Sequence, residues 1–537
     1  MAGTAKCDDI DTLLQEAGAC LQDGRLDEAQ RISRLVLSSH PESSLALNIM
    51  GTAQLRLGDL SNAVRSLLES LSLDSNQIAA RSNLGYAYFL QKNLESALEQ
   101  FNIAIRSDPI FVSAYNNRGL AYLALNQIDR AQSDFETALG LKPNYAEVHN
   151  NFGNLYLQTD QINLAINSYR QAIYFNPGFI DARMNLSKAL TSLNLIDESL
   201  SCLAEILELK PNYPVAMWAV GLNQLLKGNY VEGWKHYEWR WLSPTFGHNP
   251  RNFPHPLWTR DSSITDQTIL IHAEQGFGDT IQFCRYIPML AALGANVMLI
   301  AQPELRGLIL SSNLKCLFFE PGEKLPPFNF HCALMSLPAA FRTSLDHVPN
   351  HVPYLFADPQ KRAFWRARVG EGLKLKVGIA WAGRAAHLND RNRSMRLDQI
   401  MPLLDSDVEF HCLHKEIRLE AIGQDMAPGQ IQFHDLMLKD FSDTAALISE
   451  MDLIISADTA VAHLAGALGK SVWILLPFAP DFRWMLKRSD SPWYPNARLF
   501  RQSQVGDWSK VVETIQRELE KISGLHSNGV VSQSKSP

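Results

Sequence analysis

Five short stretches, all in the second half of this 537-residue chain, carry side chains able to do chemistry. In EQGFGD (274–279), Gly276 and Gly278 follow a strand-like run and precede a helical pattern. Such a loop presents backbone N–H groups to a ligand, with a helix dipole behind them. Asp279 falls at the helix start, at the carboxyl edge of the strand, where open α/β sheets bind ligands. An Asp there also serves as a plain N-cap, and both readings stand at this point. In DTAVAHLAGALG, the residues Ser456, Asp458, Thr459 and Ala460 lie between a strand and a small-residue helix. The first N–H groups of that helix suit a pyrophosphate. His463 follows Thr459 by four residues and shares its helical face; tight helix–sheet packing with a hydrogen-bonded His is the alternative. NDRNRS places Arg391 and Arg393 after a strand, with Arg384 nearer to it. A guanidinium at that strand end would pair with a phosphate group. Arg393 is the first choice and Arg391 the second, against a solvated basic loop. Lys415 lies in HCLHKE, where it can reach the same ligand, while His411 and His414 face opposite sides of a strand and do not share a metal. DFRW follows the last of the strands read here; Asp481, Arg483 and Trp484 would line a cleft, with Trp484 suited to stacking on a sugar or base. Packing of a long loop is the rival reading.

These stretches need strands and helices to position them. TILIHA (268–273), NVMLIAQ (from 296), KCLFF, KVGIAWAG (376–383), VEFHCLH (408–414), IQFHDL (431–436), DLIIS (452–456) and SVWILL (471–476) are short apolar runs that read as buried strands. A helix is expected from about 279 to 293, and helical stretches such as FSDTAALISEM and TAVAHLAGALG separate later strands. Alternating β and α segments predict parallel sheets with helices on both faces. Two Rossmann-like lobes are expected, 265–365 and 366–522, with a cleft between them.

The first half carries a period. Pro41, Pro109, Pro143, Pro177 and Pro211 are separated by multiples of 34, and Ala29, Ala63, Ala97, Ala131 and Ala165 keep the same interval. Gly51, Gly85, Gly119 and Gly153 do likewise, with Tyr88, Tyr122 and Tyr156 three residues behind the last three. The pattern resembles the tetratricopeptide repeat. It predicts an all-α solenoid over residues 1–242, with about six full units and a divergent seventh. Asn116, Asn117, Asn150, Asn151 and Asn185 lie early in successive first helices, where they would bond an extended peptide or be merely solvated. The junction, 243–264, is Pro- and aromatic-rich; with Trp234, Tyr237, Trp239 and Trp241 just before it, it is expected to cap the solenoid against the next domain.

Composition narrows the classes. Apolar residues are 46% and the net charge is −7, so neither global disorder nor a basic nucleic-acid surface is indicated. The seven Cys are widely spaced with no CxxC, which suggests reduced thiols and a cytoplasmic protein. The start, MAGTAKCDDIDTLLQEAG, lacks the apolar core of a signal peptide, and no segment reads as a membrane span. P-loop, HExxH and zinc spacings are absent, so no metal or other cofactor is expected. The polar tail, 523–537, is expected to be disordered.

The segment 268–508 resembles bacterial proteins that join tetratricopeptide repeats to a domain similar to the lipopolysaccharide heptosyltransferases. The stretches carrying the resemblance are EQGFGDTIQFCRYIPML, WAGRAAHLNDRNRS, DTAVAHLAGALGKSVWILLPF and DFRWMLKRSDSPWYPNARLFRQ. The resemblance implies a GT-B-like pair of lobes, an inverting metal-independent mechanism and a nucleotide-sugar donor held by the second lobe. Asp279 matches the general base of that family, with Glu274 on the same loop as the alternative. The family's Asp-(Ser/Thr)-Gly-x-x-His motif contacts the donor; here Ala460 replaces its Gly, and Pro288 lies about a helical turn later than in the family. The implied function is a glycosyltransferase whose repeats recruit a protein or glycan acceptor. The alternatives are a non-catalytic adaptor with a degenerate transferase-like domain, and an enzyme of polysaccharide assembly localised by its repeats.

Overall fold

In the computed structural model, residues 7–247, 253–386, 389–416 and 430–533 are described, with side chains from 10 to 524. The chain divides into two compact units, Met1–Ala189 and Leu190–Pro537.

The first unit is helical throughout. First helices begin at Ser44, Ile78, Val112 and Ala146, and second helices at Leu26, Leu60, Leu94, Ile128 and Ile162, each set stepping by 34. A further first helix, Ile180–Ser192, straddles the division, and both sets continue beyond it, at Pro214 and at Ile196 and Tyr230. Two local features keep this register. Where the helices of four pairs cross, at Gly51, Gly85, Gly119 and Gly153, a glycine removes the Cβ: an added one would lie 2.7 Å from Leu67 at Gly51 and 2.3 Å from Tyr169 at Gly153. Between the two helices of each pair, one residue turns left-handed: Gly24, Gly58, Lys92, Asn126, Asp160, Asn194 and Gly228, with φ from 57° to 90°. Gly accepts that conformation freely and Asn and Asp tolerate it.

The second unit opens with helices Ile196–Leu209, Pro214–Lys227 and Tyr230–Tyr237, then a 3₁₀ turn, Glu238–Leu242. Whereas the sequence period carries the solenoid to 242, the compact division falls after Ala189, because the last helices share a core with the strands. Trp234 packs edge-on against Phe283, Phe482 and Trp493, and the Trp493 indole N–H donates to the Tyr230 hydroxyl at 3.0 Å. Each fully buried large apolar side chain contributes roughly 1.5–3 kcal/mol, so these rings are a substantial seam.

Two parallel sheets follow. Strands β1 (Thr268–His272), β2 (Asn296–Ile300), β3 (Cys316–Phe319) and β4 (Phe330–Ala333) form the first, in the order β3-β2-β1-β4. Strands β5 (Lys376–Ala380), β6 (Glu409–Cys412), β7 (Ile431–Gln432), β8 (Leu453–Ala457), β9 (Val472–Leu476) and β10 (Ala497–Arg501) form the second, in the order β10-β9-β8-β5-β6-β7. The second sheet has apolar layers on both faces. Ile454 and Ile474 join the core of helices Phe441–Ser449 and Ala460–Ala467, while Val377, Ile379 and Ile455 pack with Val511, Ile515 and Leu519 of the last helix. The first sheet departs from the expected pattern: Ile269 and Ile271 face helices, but Leu270 and Met298 face Phe253, Leu325 and Phe328 of connecting segments.

The helix expected over 279–293 is broken into Phe277–Phe283, a 3₁₀ turn Cys284–Tyr286, and Ile287–Ala292, because Pro288 has no N–H to continue the ladder. The tail expected to be disordered from 523 is helical as far as Gln533, as the end of helix Ser509–Gln533; residues 534–537 lie outside the described residues.

The glycine crossings make a testable contrast. Gly153→Ala is expected to lower the thermal midpoint, since overpacking costs about 1–3 kcal/mol against a helix-propensity gain of about 1 kcal/mol. Gly140→Ala, with nothing within 4 Å of the added carbon, is expected to raise it. A rise for both variants in circular-dichroism melts would refute the close-approach account.

Candidate functional site

The switch points of the two sheets bring the motifs together. In the first sheet the strand order reverses between β1 and β4, and EQGFGD leaves the carboxyl end of β1. In the second it reverses between β5 and β8, where the loops carrying Arg393 and Asp458 begin. Such reversals open a crevice at the strand ends. Gly278 sits against the other motif: a Cβ there would lie 2.8 Å from His463 Cδ2 and 3.6 Å from Ala460 Cα. The absent side chain therefore serves a helix crossing, not a ligand's approach. Ala460 is small for the same contact.

Asp279 is held twice. Asp279 is the third residue of the helix rather than its N-cap: its Oδ2 accepts from the N–H of the N-cap, Gly276, at 2.8 Å, and its Oδ1 pairs with Arg483 Nη2. A fifth of the Asp279 side chain stays exposed. Arg483 is buried, and its remaining groups reach Asp481 Oδ1 at 2.7 Å and Gln282 Oε1 at 2.6 Å. These acidic neighbours outweigh its burial and hold it charged. Gln282 was not legible as a site residue; it lies on the helix after GFGD, one turn beyond Asp279.

Glu274 is not placed as a free base. It is buried, and its Oε1 accepts from Arg240 Nη2 at 3.0 Å. Burial pushes its carboxyl up to about 7, with Arg240 opposing the shift. Arg240 itself is missed by motif reading, although a charged residue inside the aromatic run HYEWRW was its signal.

The second motif is more enclosed than a donor-binding reading expects. Thr459 caps its own helix, accepting from the Val461 N–H at 3.3 Å, and lies 3.2 Å from the Ser456 hydroxyl, which is buried. His463 is buried, stacked on Trp484 at 5.3 Å and bonded through Nδ1 to the Tyr494 hydroxyl at 3.1 Å. Burial, with Arg483, Arg285 and Arg393 nearby, drives its pKa well down, so it is neutral. Trp484 is fully buried, which removes it as a stacking platform for a ligand. Asp458 lies 3.9 Å from His463 Nε2; burial and then Asp481 push its carboxyl up to about 6, against the Trp484 indole, Arg483 and Arg393.

Arg393 reaches across to this motif, donating from Nη1 to the Asp458 carbonyl at 3.0 Å, and its guanidinium lies over Gly383. Arg391 and Lys415 are exposed. His414 points elsewhere than His411: its Nε2 accepts from the Trp381 N–H at 3.1 Å. Among the described residues, no group of three or more His, Cys, Asp or Glu is placed to hold a metal ion. No described helix is long and apolar enough to cross a membrane.

In the first unit, the asparagines read as either peptide-binding or merely solvated bond one another. Asn151 donates to Asn116 at 2.8 Å and Asn185 to Asn150 at 3.0 Å, each to the preceding repeat. Asn116, Asn150 and Asn151 are buried, so they form a ladder between repeats.

Comparisons with known proteins bear on the repeats. A model described as TPR repeat matches residues 85–126, and models described as tetratricopeptide repeat match 112–145 and 146–179. The chain is 26% identical over 312 residues to Protein FlbA of Caulobacter vibrioides, covering 53% of this chain and 51% of that protein. The chain thus spans about half the length of the curated relative it matches. Among solved structures, it is similar to the Cut9–Hcn1 hetero-tetramer of APC/C (TM-score 0.39, 19% identity, 43% of this chain and 45% of that one). It is also similar to a thermophilic tetratricopeptide protein of Thermus thermophilus (TM-score 0.32, 24% identity, 34% of this chain and 98% of that one). The N-terminal region carries tetratricopeptide repeats, and this repeat class suggests protein partners.

A histidine pair in the second sheet is titratable. His411 Nδ1 and His434 Nε2 lie 3.1 Å apart, with the buried rings stacked at 11°. One must donate and the other accept, so the bond is lost once both rings are protonated. Burial holds each down to about 4. Stability from the neutral pair is present above the ordinary value of about 6.5 and lost as pH falls toward 4, by about 1.4 kcal/mol per pH unit per imidazole. In urea unfolding between pH 6.5 and 4.5, His434→Gln is expected to shallow this slope. An identical slope in variant and parent would show that the pair does not titrate this way.

Proposed function

We propose that the chain is a metal-independent glycosyltransferase of GT-B type, similar to the heptosyltransferases, which takes a nucleotide-sugar donor. The acceptor, a protein or glycan, is recruited by the repeats. The observation that carries this reading is the meeting of the two switch-point loops: Gly278 against Ala460 and His463, with Arg393 on the Asp458 carbonyl. In this reading the acceptor hydroxyl bonds to the anomeric carbon as the sugar–diphosphate bond breaks, and the electron pair leaves with the diphosphate. Asp279 takes the hydroxyl proton, and its ion pair with Arg483 aims the carboxylate. Arg393, Arg391 and the N-terminus of helix Ala460–Ala467 meet the charge on the diphosphate.

A second reading, a non-catalytic adaptor, is favoured by one specific feature: both oxygens of Asp279 already have partners, Gly276 and Arg483. The two readings separate in a thermal-shift panel of nucleoside diphosphates and nucleotide sugars, because a bound ligand raises the midpoint by mass action. The transferase reading expects a shift with at least one of them, and a tenfold or greater loss of affinity in Arg393→Ala. It also expects Asp279→Asn to keep donor binding while donor turnover falls at least a hundredfold. No shift with any compound would leave the adaptor.

A further inference from the structure

The end of the repeats is built into the loop that carries Asp279. Arg240, on the 3₁₀ turn closing the last repeat, is fully buried. Its Nη1 donates to Glu238 Oε1 at 2.6 Å and to the Tyr237 carbonyl at 3.3 Å. Its Nη2 donates to Glu274 Oε1 at 3.0 Å and to the Ser336 hydroxyl at 2.7 Å. The guanidinium lies over the rings of Tyr237 at 4.5 Å and Trp241 at 4.6 Å. Ser336 closes the circuit by donating to Glu238 Oε2 at 2.8 Å.

The contacts then run along the loop. Next to Glu274, Gln275 donates from Nε2 to the Tyr237 hydroxyl at 2.7 Å, and its carbonyl accepts from Gln302 Nε2 at 2.7 Å. Gln302 Oε1 in turn accepts from the Thr280 hydroxyl at 2.9 Å, beyond Asp279. The other partner of Asp279 rests on the same helix. Phe482, the neighbour of Arg483, packs against Trp234 and Tyr237 with ring centres 5.6 and 6.0 Å apart. One turn of chain therefore supports both halves of the Asp279–Arg483 pair. A buried ion network is a poor way to add stability, since well-packed apolar residues commonly do as well or better. Its directional bonds do fix geometry.

We propose that Arg240 is a positioning residue for the 274–280 loop, making the last repeat part of the candidate site rather than a spacer before it. As a device for turnover this rests on the transferase reading; as a device for holding the loop it does not.

The test is amide hydrogen exchange on the full-length chain, combined with donor kinetics. In Arg240→Met, amides of 274–280 are expected to exchange at least tenfold faster while those of β1 keep their protection. If donor turnover is present, kcat should fall at least tenfold with donor KM unchanged, because the proposed donor groups lie on the second sheet. A uniform loss of protection across both segments, or unchanged exchange in 274–280, would overturn the proposal. Should Arg240→Met not fold, Tyr237→Phe removes the Gln275 bond while keeping the ring, and is expected to loosen the same loop selectively. Unchanged exchange there would then count against the proposal. A parent chain that turns over no donor defeats the transferase reading, while the exchange result still decides whether Arg240 holds the loop.

Discussion

A guanidinium taken out of water must find acceptors for its N–H groups and counter-charge for its cation. Arg483 meets both demands by drawing in Asp279 and Gln282 from the segment after β1, and Asp481 from its own loop. The contact ties the first sheet's motif loop to the second sheet's last connecting segment. Much of the neighbouring geometry is consistent with that constraint. Gly278 lets helix Phe277–Phe283 approach His463, and His463 is in turn stacked against Trp484, the residue after Arg483. Arg285 nearby instead gives its N–H groups to neutral acceptors, the carbonyls of Gln282, Pro349 and Trp493 and the Tyr354 hydroxyl.

The same economy of buried charge appears at the end of the repeats. Arg240 has two carboxylates within reach, and the inner one, Glu274, is raised toward neutrality by its burial. The aromatic run around it is thus more than a cap. Trp234 and Tyr237 fill the space beneath the loops, while Arg240 sets their direction. In the first unit the polar residues behave alike: the asparagine ladder links successive repeats by side-chain amides, leaving the outward surface to other residues.

Several elements were legible because they need only local information. The strands TILIH, NVMLI, KVGIA and VWILL are β-branched, apolar and bounded by breakers, and each forms where expected. β4 and β10 carry a weaker signature: FHCA is four residues long with no β-branched side chain, and ARLFR has two Arg among its five residues. The site was legible only as a set of stretches. EQGFGD, DTAVAH and NDRNRS do come together, but Gly278, His463 and Trp484 turn out to face protein rather than open space. A glycine that admits a phosphate and one that admits a neighbouring helix look alike in a sequence.

What the amino-acid order determined by itself was periodic and local: a 34-residue helical repeat, the crossing glycines, and alternating strands and helices beyond it. Those follow from φ/ψ preference, side-chain volume and hydrophobic spacing within a few turns of chain. The tertiary structure alone decided which charges meet. Asp279 and Arg483 are 204 positions apart and Arg240 and Glu274 are 34 apart. No local preference selects such partners. They are chosen by the path of the strands and by the penalty for leaving a buried charge without its counter-ion.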